Sequence, residues 1–187
     1  ADAISESYAA GRQNIVGPPC GEPDCGRVRT TDNHAYLKIA DGCSNFCTYC
    51  LIPKIRGAYR SVREDQLLRE AAALGEVKEL VLVAQDVTKY GSDLTGGENL
   101  VRLIRKLSAL ENVRKIRLLY CYPESVNEEL IDEIAANDKV LKYIDIPLQH
   151  ANDAVLKSMN RKGTYKSYLA LIKKLKERVR GIAVRST

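Results

Sequence analysis

With 187 residues, a net charge of +5 and 45% hydrophobic residues, the chain has the size and apolar content of one folded domain. No apolar run reaches the roughly 18 residues of a membrane span, and residues 1–11 offer neither the basic start nor the apolar stretch of a signal peptide. Six cysteines, three of them between positions 43 and 50, do not resemble a disulfide framework, so a reducing cytoplasm is expected.

Residues 1–33 are rich in Gly, Pro and polar side chains and read as a linker or the tail of a further domain. The folded core is expected over 34–187. Strand patterns fall at 35–40, 80–84, 116–120, 143–146 and 182–184, the second being a continuous apolar run suited to burial on both faces. Helices are expected between them. Ser61 with Glu64 makes a capping-box pattern ahead of Leu67, Leu68, Ala71 and Leu74, and Ser125 with Glu128 repeats it ahead of Leu130, Ile131 and Ile134. Asn99 is placed to cap a helix with the stripe Leu100, Leu103, Ile104 and Leu107, and Thr164 precedes another that carries Tyr168, Leu171, Ile172 and Leu175.

Strands alternating with helices mean an α/β fold with a parallel sheet, either open and doubly wound or part of a (β/α) barrel. In both, ligands bind where the strands end. The residues after the strands suit a site: Asp41-Gly42-Cys43, Gln85-Asp86, Cys121-Tyr122, Gln149-His150 and Arg185-Ser186-Thr187.

Cys43, Cys47 and Cys50 have the spacing C-x3-C-x2-C. Three thiolates on one loop can each hold one iron of a cubane cluster and leave the fourth iron open to a ligand. The alternatives are a structural zinc site or plain thiols. Zinc wants a closed tetrahedron, and neither His34 nor His150, the only histidines, has a partner at finger spacing. Lys54, Arg56, Arg60 and Arg63 follow the cysteines, as a contact for an anionic partner or as a solvated basic surface. Cys20 and Cys25 are a metal clip or free thiols, and Cys121 reads as a small buried apolar residue.

The cysteine motif, with Tyr49 ahead of the last cysteine, resembles the radical S-adenosylmethionine (SAM) signature. The segments 35–43, 55–61, Ala84-Gln85-Asp86, Tyr90-Gly91, Tyr122-Pro123-Glu124, 145–150 and Met159-Asn160-Arg161 resemble the methylthiotransferases of that superfamily. Gln85-Asp86 and Gln149-His150-Ala151 favour the RimO-type branch, which modifies an aspartate of a small-subunit ribosomal protein, over the transfer-RNA branch.

The resemblance implies a partial (β/α) barrel of the radical SAM type with its last unit missing. It implies a 4Fe-4S cluster on Cys43, Cys47 and Cys50, with SAM on the open iron. Reductive cleavage of SAM then gives a radical that takes a hydrogen from the substrate before sulfur and methyl are added. Tyr49, Gln85, Gln149 and Arg185 would contact SAM, and His150 has either a ligand-binding or a structural role. A second 4Fe-4S cluster, the sulfur source, would sit in a domain absent from this chain, so the chain alone is expected to cleave SAM without forming product. Partners would be the ribosomal protein, an electron-donor protein and, through the basic loop, RNA or the ribosome surface. Gly96-Gly97-Glu98 looks like a SAM-amine motif but lies too far past its strand, and reads as a turn before a helix. A reading from another class is a non-catalytic nucleic-acid-binding module stiffened by metal.

Overall fold

The computed structural model describes residues 33–187, so the segment before Asn33, with Cys20 and Cys25, lies outside the described residues. In chain order the elements are β1 (His34–Lys38), β2 (Ala40–Asp41), α1 (Ile52–Arg56), β3 (Arg60–Ser61), α2 (Glu64–Ala73), β4 (Glu79–Val83), α3 (Leu100–Ser108), β5 (Ile116–Leu118), α4 (Glu128–Ala136), β6 (Tyr143–Asp145), α5 (Asp153–Ser158), α6 (Tyr165–Arg178) and β7 (Ala183–Arg185).

β1, β4 and β5 form a parallel sheet, with Leu37 opposite Leu82 and Leu82 opposite Leu118. β6 and β7 form a second parallel pair. Backbone bonds join the two: Leu141 N donates to Ile116 O at 2.9 Å and Cys121 N to Asp145 O at 2.8 Å. The spatial order is therefore β1-β4-β5-β6-β7, advancing in one direction with the chain. A doubly wound sheet would reverse at a switch point, whereas a barrel does not, so the arrangement is part of a (β/α) barrel.

Ala35, Leu37, Leu80, Leu82, Ile116 and Leu118 turn one sheet face into the core, against Leu67 of α2, Leu103 and Leu107 of α3, Ile131 of α4 and Leu175 of α6. Tyr36, Val81 and Arg117 share a rung on the opposite face, where Arg117 pairs with Glu79 and lies 4.6 Å over the Tyr143 ring.

Several local expectations change. The first strand divides. Ile39 still donates its N–H to Val83 O, but its carbonyl accepts from Val62 N, and Ala40–Asp41 turn to pair antiparallel with β3. Ser61 caps nothing: its hydroxyl donates to Asp93 at 2.6 Å, and α2 starts after Arg63 without a side-chain cap. The Ser125 box also fails. Pro123–Ser125 form a 3-10 turn, and the cap of α4 is Asn127, which accepts from Leu130 N at 2.9 Å. Asn99 and Thr164 do cap α3 and α6, Thr164 in a reciprocal box with Ser167.

Candidate metal centre at the strand ends

The loop after β2 carries the three cysteines. Gly42 enters it at φ 71°, and a Cβ there would lie 2.2 Å from Ala58 O, so only glycine fits ahead of Cys43. Cys43 N then donates to Gly57 O at 3.2 Å, and Tyr59 N donates to Ser44 Oγ at 3.1 Å. Cys43 is buried, Cys47 and Cys50 are half-buried, and none is bridged. Burial first, with Asp86 and Cys47 adding to it, raises the Cys43 thiol above its ordinary range.

One side of the loop is fixed by the end of β4. Asp86 is fully buried, and its carboxylate accepts from Asn45 Nδ2 at 3.0 Å, from Thr88 N at 3.1 Å and from the Thr88 hydroxyl. Lys89 donates to Asn45 Oδ1, so the Asn45 amide bridges a buried anion and a cation and its orientation is set. The Tyr59 hydroxyl donates to Asp86 O at 2.9 Å.

The other side is held from 110 or more positions away in sequence, by the end of α5. Thr48 N donates to Met159 O at 3.2 Å, the Thr48 hydroxyl to Ser158 O at 3.0 Å, and Asn160 Nδ2 to Phe46 O at 2.9 Å. Arg161, only 6% exposed, stacks 4.0 Å over the Tyr122 ring and donates through Nη2 to Pro147 O. Its Nη1 lies 4.0 Å from Cys47 Sγ, while Nε is buried with no protein partner. Burial opposes the charge on this guanidinium, but Tyr168, Tyr122, Cys47 and Glu124 outweigh it and keep Arg161 protonated.

The sequence-expected cofactor residues have different surroundings. Tyr49 is half exposed, and its hydroxyl is pushed up to about 12 by burial, with Cys47 and Cys50 among the further causes. Gln85 follows β4 and has a buried Oε1 without a partner, as a side chain waiting for a donor would. Gln149 sits after β6 at φ 72°, its N–H donating to Thr187 O at 2.8 Å. Arg185 pairs with the buried Asp145 at 3.0 Å, which occupies one of its nitrogens. His150 is exposed, and its Nδ1 accepts from Asn152 N at 2.9 Å. Gly96-Gly97-Glu98 directly precedes the Asn99 cap, with Gly96 in a bend, and Cys121 is fully buried. Asp86 and Arg161 are the residues whose roles the sequence left unassigned; both stood inside quoted motifs.

Among the described residues no three His, Cys, Asp or Glu side chains are gathered as a site for a single metal ion. A cubane has a different requirement, because each thiolate takes its own iron on a different corner. The three unbridged thiols on one clamped loop, beside a buried cation with an unpaired N–H, fit an anionic cluster of that kind.

The Radical SAM superfamily profile matches residues 37–186. The ribosomal protein uS12 methylthiotransferase RimO of Clostridium botulinum (strain Eklund 17B / Type B) is 52% identical over 164 residues, which is 86% of this chain and 37% of that protein. The RimO of Clostridium tetani (strain Massachusetts / E88) is 45% identical over 194 aligned positions, 100% of this chain and 43% of that protein. The chain thus spans less than half the length of these curated relatives. Among solved structures, the cobalamin-dependent SAM radical enzyme OxsB with aqua-cobalamin and SAM bound matches with a TM-score of 0.60 at 14% identity, over 81% of this chain and 23% of that one. That likeness concerns the fold. A 4Fe-4S cluster and SAM are the working cofactors of the superfamily whose profile spans nearly all the described residues. The chain belongs to the radical SAM superfamily.

Proposed function

We propose that this chain is core sequence of a methylthiotransferase that acts on an aspartate of ribosomal protein uS12. The observation that carries the reading is the cysteine loop, clamped by Asp86 on one side and by residues 158–161 on the other, at the carboxyl ends of a parallel sheet. The identity of 45–52% to RimO proteins supports the substrate.

In this reading Cys43, Cys47 and Cys50 hold a 4Fe-4S cluster, which when bound supplies the electron that cleaves SAM. The protein's part is position and electrostatics. Tyr49 lies against the adenine. Gln85 offers its unpaired amide oxygen to a donor group of SAM, and Gln149 closes the same mouth from the end of β6. Arg185 uses the guanidinium nitrogens not engaged by Asp145 to meet the SAM carboxylate. Lys54, Arg56, Arg60 and Arg63 face an anionic partner, the ribosome surface or RNA, and a separate protein donates electrons. In this reading the reaction takes place in the cytoplasm, where thiols stay reduced and ribosomes are found.

The test is an anaerobic assay of the full-length protein that contains this chain, with uS12 and transfer RNA as parallel substrates and mass spectrometry of both. Methylthio addition to a uS12 aspartate is expected. Methylthio addition confined to transfer RNA would assign the chain to the other branch, and zinc in place of iron would leave only the metal-stiffened binding module.

A further inference from the structure

The buried guanidinium of Arg161 is not required by the packing alone. Ionised groups avoid burial unless something offsets the lost hydration. Here the offset comes from Pro147 O on Nη2, from the ring of Tyr122 beneath the plane and from Tyr168 and Glu124 close by, while Nε has no protein partner. The remaining nitrogen, Nη1, points to Cys47 Sγ at 4.0 Å. An apolar side chain of similar length could fill the same space. What it would not provide is a positive charge, fixed in direction, beside one of the three cysteines.

The fixing is elaborate. Arg161 N donates to Leu156 O at 2.9 Å, at the end of α5. The Tyr168 hydroxyl donates to Glu124 Oε1 at 2.7 Å, which also accepts from Gly163 N at 2.7 Å, so α6 and the turn after β5 close over the guanidinium. On the opposite flank of the loop the buried Asp86 is bridged through Asn45 to Lys89. The Arg161 cation thus stands beside Cys47, while the carboxylate on the other flank is tied to a cation of its own.

We propose that Arg161 is a positioning residue whose buried charge faces Cys47 and favours one-electron uptake by the cluster held on this loop. The inference rests on the cluster assignment under Proposed function. Uptake of an electron adds negative charge to the cluster, and a cation or N–H donor near a ligating sulfur stabilises the reduced form more than the oxidised one. Because the guanidinium itself is buried, its effect is screened less than that of a surface charge.

The experiment is a potentiometric titration of the anaerobically reconstituted chain with a dithionite-class reductant, followed by electron paramagnetic resonance. The parent is compared with Arg161→Gln and Arg161→Lys. Arg161→Gln should make electron uptake at least about tenfold less favourable, a midpoint about 59 mV lower for a one-electron couple. Arg161→Lys keeps the charge but loses the planar fork and the stacking, and should stay nearer the parent than to the Gln variant. Should Arg161→Gln fail to hold iron, the proposal requires that Arg161→Lys hold it and keep the parent's midpoint to within about twofold in the equilibrium. Equal shifts in both variants, no shift in either, or loss of iron from both with unchanged circular dichroism would overturn the proposal in favour of a purely structural Arg161. A parent chain that binds no iron would instead overturn the cluster assignment itself, so the two failures are distinct.

Discussion

Asp86→Ala tests whether the cysteine loop is held in shape by the protein before any cofactor arrives. The carboxylate is fully buried and accepts three hydrogen bonds, from Asn45 Nδ2, Thr88 N and the Thr88 hydroxyl. Alanine strands the Asn45 amide and the Thr88 N–H, each costing about 1–3 kcal/mol when cut off from water. Asn45 cannot recover by flipping its amide, because Lys89 holds the oxygen. Both stranded groups are only part-buried, and removing the carboxylate also relieves its own desolvation, so the net loss should fall near 2 kcal/mol. For a chain of this size that is a fall in Tm of about 4–8 °C. Urea unfolding of the metal-free protein under reducing conditions, followed by circular dichroism, measures it. Asn45→Ala and the double variant complete a cycle, with a coupling of about 1 kcal/mol expected between the two side chains. A loss under about 0.5 kcal/mol for Asp86→Ala, or strict additivity in the cycle, would refute the idea that Asp86 holds the loop.

The same unfolding assay checks the rest of the frame. Gly42→Ala must place a Cβ 2.2 Å from Ala58 O at a positive φ, so it should cost at least about 1–3 kcal/mol and lower iron loading as well. Leu82→Ala opens a cavity in the middle of the sheet, where the side chain is fully buried, and should cost about 2–5 kcal/mol. Asn99→Ala removes the cap of α3 and should cost about 1 kcal/mol, whereas Ser125→Ala, which caps nothing, should stay within about 0.5 kcal/mol of the parent.

The strand-and-helix alternation and the cysteine triplet were legible in the sequence because both are local signals. The run Leu80-Val81-Leu82 is buried on both faces as its composition implies, and Asn99 and Thr164 cap because the N–H groups they accept from lie only three residues on. Ser61 misled because its hydroxyl has a stronger partner in Asp93, 32 residues away, which the capping pattern does not contain. Ser125 misled because Pro123 fixes a 3-10 turn first and hands the cap to Asn127. α1 and α5 have five and six residues, too few to show a helical period. Arg161 and Asp86 were visible as letters within motifs, but their work is done across 114 and 41 residues, and only the fold brings those partners together. The choice between an open sheet and a barrel was likewise decided by strand order, which the alternation of elements leaves free.

The most direct test of the account is the metal content of the anaerobically purified and reconstituted chain beside its Cys47→Ala variant, with SAM cleavage assayed in the same samples. The account predicts about four iron and four sulfide per chain, a brown chromophore and 5′-deoxyadenosine from the parent, with the nucleoside product abolished by Cys47→Ala. Colourless protein carrying one zinc and leaving SAM intact would contradict it.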